Sequence, residues 1–365
     1  MPSIPAYAKD FSVEWMNAVL GPQLNGNFVR SCKARESDIP GQTAEIILID
    51  VTYAQPAPDL AEQMVAKVTS RNADVLNLVI ASYDQYRRET AFYREFPDCG
   101  IATPNCLYAD HDPAAQKMVI LMADLAPARS PSWAATPDHV RLALSHLPGL
   151  HGKWWNDPVL KTKDWMVQLD NRAFFEAAFG AADAGASALD QLYETPDLTK
   201  SIMAHLAENL DAVLDFYATR PFTFVHGDYH AKQMFFPTTE GGEFAVIDWQ
   251  FPFVAPGPWD FARMLGMCMP TENRRAEESQ LIAGYLSGLA AMGVTGYTEE
   301  EFAIDFRMGL IISQMIMVIA AADTDPKIFE KECGALGVDW RDVTFDRTQR
   351  ALADWQALDF VRSIA

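Results

Sequence analysis

One stretch of the chain carries two aspartates in the arrangement that decides the fold. It reads VHGDYHAKQMFF (residues 225–236), then a short Pro/Thr/Gly turn, FAVIDWQ (residues 244–250) and an aromatic loop that ends at Asp260. The apolar runs 234–236 and 244–247 are suited to short strands, and glycines mark the turn between them. A hairpin of these strands would bring Asp228 and Asp248 to the same end.

A pair of carboxylates at the mouth of a hairpin has two interpretations. Buried carboxylates are costly without a partner, so the pair could form a structural salt-bridge site. It could also serve phosphoryl transfer, which needs one aspartate to accept a hydroxyl proton, a side-chain oxygen beside it, and a second aspartate to hold Mg²⁺ on ATP. The residue types alone leave both interpretations open.

The motifs resemble a known family. The loop HGDYHAKQMFF followed by VIDWQ is similar to the catalytic loop and metal-binding segment of the aminoglycoside/choline kinase-like phosphotransferases, and most similar to their ecdysteroid kinase-like branch. The resemblance implies an α+β, bilobal, protein-kinase-like fold. We expect an N-terminal ATP-binding lobe with an antiparallel sheet and a long helix over residues 1–125, and a helical catalytic and substrate lobe over residues 126–365.

The resemblance also implies roles for the residues of the central motif. Asp228 would accept or orient the substrate hydroxyl, and Asp248 would bind Mg²⁺, which prefers oxygen ligands. Gln233 occupies a position where the family usually has asparagine; its amide oxygen can also bind a metal, but from a longer arm. Asp260 matches the family's structural aspartate. The spacing of His226 and His230 fits a zinc helix, but Gly227 and the missing glutamate disfavour zinc.

A lysine inside an apolar strand points to an anion. Lys67 lies in MVAKV (residues 64–68), where an ammonium is costly unless it meets a negative group or faces solvent at an edge. The resemblance favours a strand lysine that binds the ATP phosphates. The helical pattern over 73–96 contains RETAFY (residues 88–93), so Glu89 is the candidate partner of Lys67, with Glu95 as the alternative.

Two further segments are expected to contact the nucleotide. A glycine turn between the strands predicted at 28–35 and 44–53 could lay backbone over the ATP phosphates, although most such turns only join strands. The strand over 116–123 leads into a segment where the family has a hinge that binds adenine through backbone groups. The candidate nucleotide-binding residues in these segments are Gly41, Gln42 and Thr43 in the turn and Met122, Ala123 and Asp124 in the hinge.

Composition limits the partners. The net charge of −20 argues against a nucleic-acid partner, which needs basic patches. The five cysteines are scattered without a CxxC pair, as is typical of reduced cytoplasmic thiols, and residues 1–11 show no signal-peptide pattern. The apolar run 308–322 is shorter than a membrane span, so we expect a buried helix rather than a membrane segment. Composition does not predict the oligomeric state.

The resulting hypothesis is an ATP- and Mg²⁺-dependent O-phosphotransferase that acts on a small-molecule alcohol. A catalytically impaired binding protein of the same fold, or an aminoglycoside/choline-type kinase, is the alternative. The uncharged segment 249–259 and the methionines Met264, Met267 and Met269 could line a pocket for a bulky apolar alcohol, or could belong to the core. His151 could be catalytic, but we expect it to be packed in a helix interface.

Overall fold

The computed structural model describes residues 2–38, 43–76, 84–190, 193–322 and 326–364. The chain forms two compact units: residues 1–129 with 237–251, and residues 130–236 with 252–365. The segment that follows the predicted hairpin turn thus belongs to the unit formed by the N-terminal third of the chain. The functional lobes expected at 1–125 and 126–365 stay a prediction.

The first unit is built on an antiparallel sheet with strand order β1-β2-β3-β5-β4. Helices α1 and α3 and the short strand β9 complete it. The elements are α1 (Val13–Leu24), β1 (Val29–Glu36), β2 (Ala44–Tyr53), β3 (Gln63–Thr69), α2 (Ala73–Leu76), α3 (Gln85–Glu95), β4 (Cys106–Asp112), β5 (Lys117–Ala123) and β9 (Ala245–Val246).

Strand alternation decides which face of the sheet carries the charged residues. On β3, Ala66 and Val68 are fully buried in a core that also contains Trp15 and Leu20 of α1. Because successive side chains of a strand point to opposite faces, Lys67 lies on the other face of the sheet, where its ammonium meets Glu89 of α3. The apolar packing of β3 against α1 therefore fixes the direction of Lys67.

The helix predicted over 73–96 is wrong as a single element. Helix α2 ends at Leu76, and α3 begins at Gln85. Asp84, which precedes α3, has a φ of 48°, and a left-handed residue cannot continue a right-handed helix. Residues 77–83 lie outside the described part of the chain.

The second unit is mainly helical, with a small sheet of order β6-β10-β7. The α+β class, with an antiparallel sheet in the N-terminal part and helices in the C-terminal part, is therefore confirmed. The elements are α4 (Pro137–Lys153), β6 (Val167–Gln168), α5 (Arg172–Leu189), α6 (Asp197–Glu208), α7 (Leu210–Ala218), β7 (Thr223–Val225), β8 (Met234–Phe235), β10 (Phe253–Ala255), α8 (Pro258–Arg263), α9 (Thr271–Ala291), α10 (Glu299–Ala322), α11 (Pro326–Ala335), α12 (Arg347–Asp354) and α13 (Ala357–Arg362).

Helix α10 is the core of the second unit and packs against α5 and α8. Among the described residues it is the one helix long and apolar enough to cross a membrane, and 72% of its apolar window is buried inside the protein. Such burial is typical of a core helix, and the prediction of a buried helix over 308–322 is confirmed. Close contact with α8 is possible because Gly309 has no side chain: a Cβ there would lie 2.7 Å from the Pro258 carbonyl oxygen.

Candidate active site

In the first unit, three charged residues from distant parts of the sequence meet around one ammonium. Lys67 Nζ lies 2.7 Å from Glu89 Oε2 and 2.5 Å from Asp248 Oδ1. The Glu89 side chain is 1% exposed, whereas that of Asp248 is 25% exposed. The two carboxylates thus share one cation, and Asp248 is the partner that solvent and ligands can reach.

Burial and the neighbouring charges shift the pKa values of Lys67 and Glu89. Burial disfavours a charged lysine, but Asp248 and Glu89 outweigh it and raise the pKa of Lys67. Burial raises the pKa of Glu89 to about 7, although the Lys67 charge opposes this shift. The physical cause is that one buried cation cannot fully compensate two carboxylates.

The two residues after Asp248 fix its segment within the first unit, one to α3 and one to the residue before β2. The Trp249 ring stacks on Phe92 with ring centroids 4.0 Å apart, one helical turn after Glu89. Gln250 donates a hydrogen bond from Nε2 to Thr43 Oγ1 at 2.8 Å. Asp248 itself has a φ of 66°, a left-handed conformation that aspartate tolerates better than most residues. The Trp249 and Gln250 contacts were not predicted from the sequence, although both residues lie in the IDWQ motif.

The predicted nucleotide segments are only partly described. Gly41 and Gln42 lie outside the described residues, and Thr43 immediately precedes β2. In the hinge, the N–H groups of Ala123 and Asp124 donate to the carbonyl oxygens of Asn105 and Gln63, both at 3.0 Å. Adenine recognition there would consequently use carbonyl groups or neighbouring residues rather than these two donors.

In the second unit, Asp228 lies in the loop after β7. Gly227 has a φ of 81°, which glycine adopts without strain, so the turn before Asp228 requires it. Asp260 of α8 accepts the backbone N–H groups of His226 at 2.7 Å and Gly227 at 2.9 Å. The backbone of the loop is therefore held by a buried carboxylate, the structural role expected of Asp260.

The Asp228 carboxylate has partners on both oxygens. Arg263, the last residue of α8, contacts Oδ1 through Nε at 2.8 Å and Nη2 at 2.6 Å. On Oδ2, Gln233 Nε2 lies at 3.1 Å and His230 Nε2 at 3.4 Å. Burial alone would raise the pKa of Asp228, but the Arg263 charge, with His230 and Gln233, holds it well below its usual range.

The remaining histidines have structural partners. His151 is fully buried and lies 2.7 Å from Tyr285 Oη and 3.4 Å from Asp260 Oδ2, so its packing role in a helix interface is confirmed. The Asp228 N–H donates to His226 Nδ1 at 3.2 Å. No group of three or more His, Cys, Asp or Glu side chains able to hold a metal ion occurs among the described residues, which leaves the zinc interpretation without support.

The apolar stretch after Asp248 is interior structure. Trp249, Phe253 and Trp259 are buried, as are Met264, Met267 and Met269. Their burial supports the core interpretation of these residues and removes them as the main lining of an acceptor pocket. Met264 and Met267 lie in a π-helical turn, Met264–Cys268, which continues α8.

The comparison with protein families decides the class. A family model described as "APH: Phosphotransferase enzyme family" matches residues 78–294, more than half of the 365-residue chain. The chain belongs to this phosphotransferase family. The prediction of an enzyme that phosphorylates a small-molecule hydroxyl is thereby confirmed at the level of its class, whereas the ecdysteroid kinase-like branch is not established.

Two solved structures are similar to this phosphotransferase along most of its length. A Ralstonia eutropha protein assigned as an aminoglycoside phosphotransferase matches with a TM-score of 0.50 and 14% identity over 96% of this chain and 98% of that one. Choline kinase LicA from Streptococcus pneumoniae matches with a TM-score of 0.49 and 14% identity, covering 96% and 98%. At its 14% identity the Ralstonia eutropha match supports the fold alone. No curated protein matches this phosphotransferase.

Proposed function

We propose that the protein is an ATP- and Mg²⁺-dependent O-phosphotransferase that transfers the γ-phosphoryl group to a hydroxyl of a small molecule. The observation that carries this proposal is the meeting of Lys67, Glu89 and Asp248 within one unit of a phosphotransferase-family chain. Lys67 would contact the ATP phosphates and Glu89 would orient it. Asp228 would accept or orient the acceptor hydroxyl.

Asp248 of the first unit and Gln233 of the second unit each offer an oxygen of the kind that Mg²⁺ prefers. Mg²⁺ prefers oxygen ligands and usually binds through one or two carboxylates together with substrate phosphates. Asp248 offers a partly exposed carboxylate, and Gln233 turns its amide nitrogen to Asp228, which leaves its amide oxygen for a cation. When bound, the ion would neutralise charge on the phosphates. Lys67 would have to share Asp248 with it.

The acceptor is proposed to be a neutral alcohol rather than a polyamine. Recognition of a cationic acceptor needs carboxylates without their own cation, but the carboxylate of Glu332 near the Asp228 loop is bound by Lys232 at 2.8 Å and by Trp133 Nε1 at 2.9 Å. Trp133 also stacks on His230, with ring centroids 5.7 Å apart. These contacts show that the Glu332 charge is compensated and that two buried rings pack beside the Asp228 loop, which supports an acceptor without a positive charge. The bulky apolar alcohol and the ecdysteroid kinase-like branch stay predictions, as does a cytoplasmic location.

The proposal is tested by nucleotide binding and turnover together. We expect ATP to raise the melting temperature more with Mg²⁺ than with EDTA, and a screen of alcohols to reveal one that accelerates ADP formation. Asp228→Asn should keep nucleotide binding but lower turnover by about a hundredfold or more. Binding without any ADP formation would favour the catalytically impaired alternative.

The acceptor class needs a separate competition. Sterol-like alcohols, kanamycin and choline would be compared as activators of ADP formation at equal concentrations. We expect a neutral alcohol to activate most strongly. If kanamycin or choline activates more than every neutral alcohol tested, the acceptor proposal is wrong, while the phosphotransferase function stands.

A further inference from the structure

The arginine that binds Asp228 is buried and fully engaged. Arg263 is 3% exposed, and its Nε and Nη2 both contact the same carboxylate oxygen, Asp228 Oδ1. Its Nη1 donates to the Ser313 carbonyl oxygen at 3.2 Å and lies 3.4 Å from Ser313 Oγ, while Nη2 lies 3.6 Å from Met317 Sδ. The core helix α10 therefore fixes the guanidinium from behind.

Helix α8 thus holds the Asp228 loop at two points. Asp260 binds the backbone before Asp228, and Arg263, one turn later on the same helix, binds its carboxylate. Both guanidinium contacts of Arg263 go to Oδ1, whereas Oδ2 accepts from Gln233, and the planar fork fixes the direction of these contacts. The two oxygens of Asp228 are consequently not equivalent.

We propose that Arg263 is a positioning residue for phosphoryl transfer: it holds Oδ1 of Asp228 so that Oδ2, which also accepts from Gln233 Nε2 at 3.1 Å, is the oxygen that meets the acceptor hydroxyl. This proposal rests on the phosphotransferase function proposed above. The acceptor oxygen forms the new bond to the γ-phosphorus, and the bond from that phosphorus to the β–γ bridging oxygen breaks, its electron pair leaving with ADP. The hydroxyl proton passes to Oδ2 and then to solvent.

The experiment compares two buried arginine–aspartate pairs. Arg263→Met removes the proposed positioning contact. Arg220→Met is the matched control, because Arg220 also binds an aspartate, Asp305, through Nε at 2.6 Å and Nη2 at 3.1 Å but does not contact Asp228. Both variants should lower the melting temperature. Only Arg263→Met should lower kcat for MgATP hydrolysis, with water as the acceptor, by about a hundredfold at unchanged KM for ATP.

Two further measurements separate positioning from simple folding damage. Added methylguanidinium should restore part of the kcat of an Arg263→Ala variant and should not change that of Arg220→Ala. Arg263→Lys should fall between wild type and Arg263→Met, because an ammonium keeps the charge but not the double contact. If Arg263→Met does not fold, Arg263→Lys carries the same comparison, and a lower kcat at unchanged KM is expected.

The outcomes distinguish this proposal from the function on which it rests. Equal kcat in wild type and Arg263→Met, with Asp228→Asn inactive, would overturn the role of Arg263 alone. Equal kcat in wild type and Asp228→Asn would overturn the role of Asp228 and with it that of Arg263. A wild-type protein that binds MgATP without forming ADP would overturn both proposals.

Discussion

Lys67 and Asp248 are 181 positions apart in the sequence, yet Lys67 Nζ lies 2.5 Å from Asp248 Oδ1. The alternation of side chains along β3 turns Lys67 towards this contact, and Asp248 reaches it from a left-handed backbone conformation. Glu89 contacts the same ammonium at 2.7 Å. The structure thus contains an ion-paired cluster with one partly exposed carboxylate, and the first two predictions concern its charges.

Replacing Lys67 with methionine should abolish stabilisation by MgATP and also destabilise the unliganded protein. Removing the cation leaves Glu89 and Asp248 facing each other, and breaking a buried pair by removing one partner costs about 3–5 kcal/mol. Differential scanning fluorimetry with and without MgATP measures both effects. Arg71→Met is the control, because its partner Glu36 is half exposed and such pairs contribute about 0–1 kcal/mol. A Lys67→Met protein with a wild-type response to MgATP would contradict the assigned role.

The raised pKa of Glu89 predicts a stability that depends on pH. Its pKa of about 7 in the folded state lies above the ordinary value of 4.5. At pH values between these two, the folded state therefore binds more protons than the unfolded state does. The contribution of Glu89 to the free energy of unfolding therefore falls as pH rises through this window and is constant above it. In urea titrations from pH 5 to 8, the stability difference between wild type and Glu89→Gln should decrease with rising pH.

The matched control for this titration is Thr90→Ser, on the same helix, because it changes no titratable group and keeps a hydroxyl for the Tyr86 carbonyl oxygen. Its stability difference from wild type should stay constant over the same pH range. If Glu89→Gln also gives a constant difference, its pKa is not raised and the sharing of one cation by two carboxylates is wrong.

Most of the first unit could be predicted from strand periodicity and from the motif residues. The strand predicted at 44–53 coincides with β2, and the apolar alternation of β3 is sufficient to set Lys67 apart from its neighbours. The partner Arg263 could not be inferred in the same way, because one arginine in an apolar helix shows no periodic signal. Its contact with Asp228 depends on how closely α8 approaches α10, which is a tertiary property.

The break between α2 and α3 is harder to predict from the sequence than the strands of the first unit. The helical pattern of apolar residues over 73–96 does not reveal that one residue within it, Asp84, has a left-handed backbone conformation. Likewise, an uncharged aromatic segment looks the same in sequence whether it lines a pocket or fills a core. The burial of Trp249 and Phe253 shows that these side chains instead fix the segment after Asp248.

Replacing Gln233 with asparagine should impair activity less than replacing it with alanine. Its Nε2 contacts Asp228 Oδ2 at 3.1 Å, so the amide restrains the Asp228 carboxylate and its oxygen is left for another partner. Gln233→Asn keeps these groups on a shorter arm and should preserve or raise kcat, whereas Gln233→Ala should lower kcat and raise the Mg²⁺ concentration for half-maximal activity. The measurement is ADP formation across a Mg²⁺ titration. An unchanged Mg²⁺ dependence in Gln233→Ala would show that Gln233 is not a metal ligand.

The last prediction concerns the close contact that positions Arg263. A Cβ at Gly309 would lie 2.7 Å from the Pro258 carbonyl oxygen, 2.9 Å from Ala262 Cβ and 3.0 Å from Trp259 Cα. These atoms are in rigid helix backbone or directly attached to it, so Gly309→Ala must push α8 away from α10. Overpacking of this kind costs about 1–3 kcal/mol. The displacement would also separate Arg263 from Ser313, one turn beyond Gly309 on α10.

Gly284 provides the matched control, because it also lies within a helix, α9, but has nothing within 4 Å of an added Cβ. Replacing a helical glycine by alanine without a clash stabilises by about 0.5–1 kcal/mol. Urea denaturation should therefore show opposite signs for Gly309→Ala and Gly284→Ala. The kcat per folded protein molecule provides a second criterion. It should be lower in Gly309→Ala than in wild type and unchanged in Gly284→Ala. Equal stability changes in the two variants would mean that α8 is not held against α10 in the way that the Arg263 contact requires.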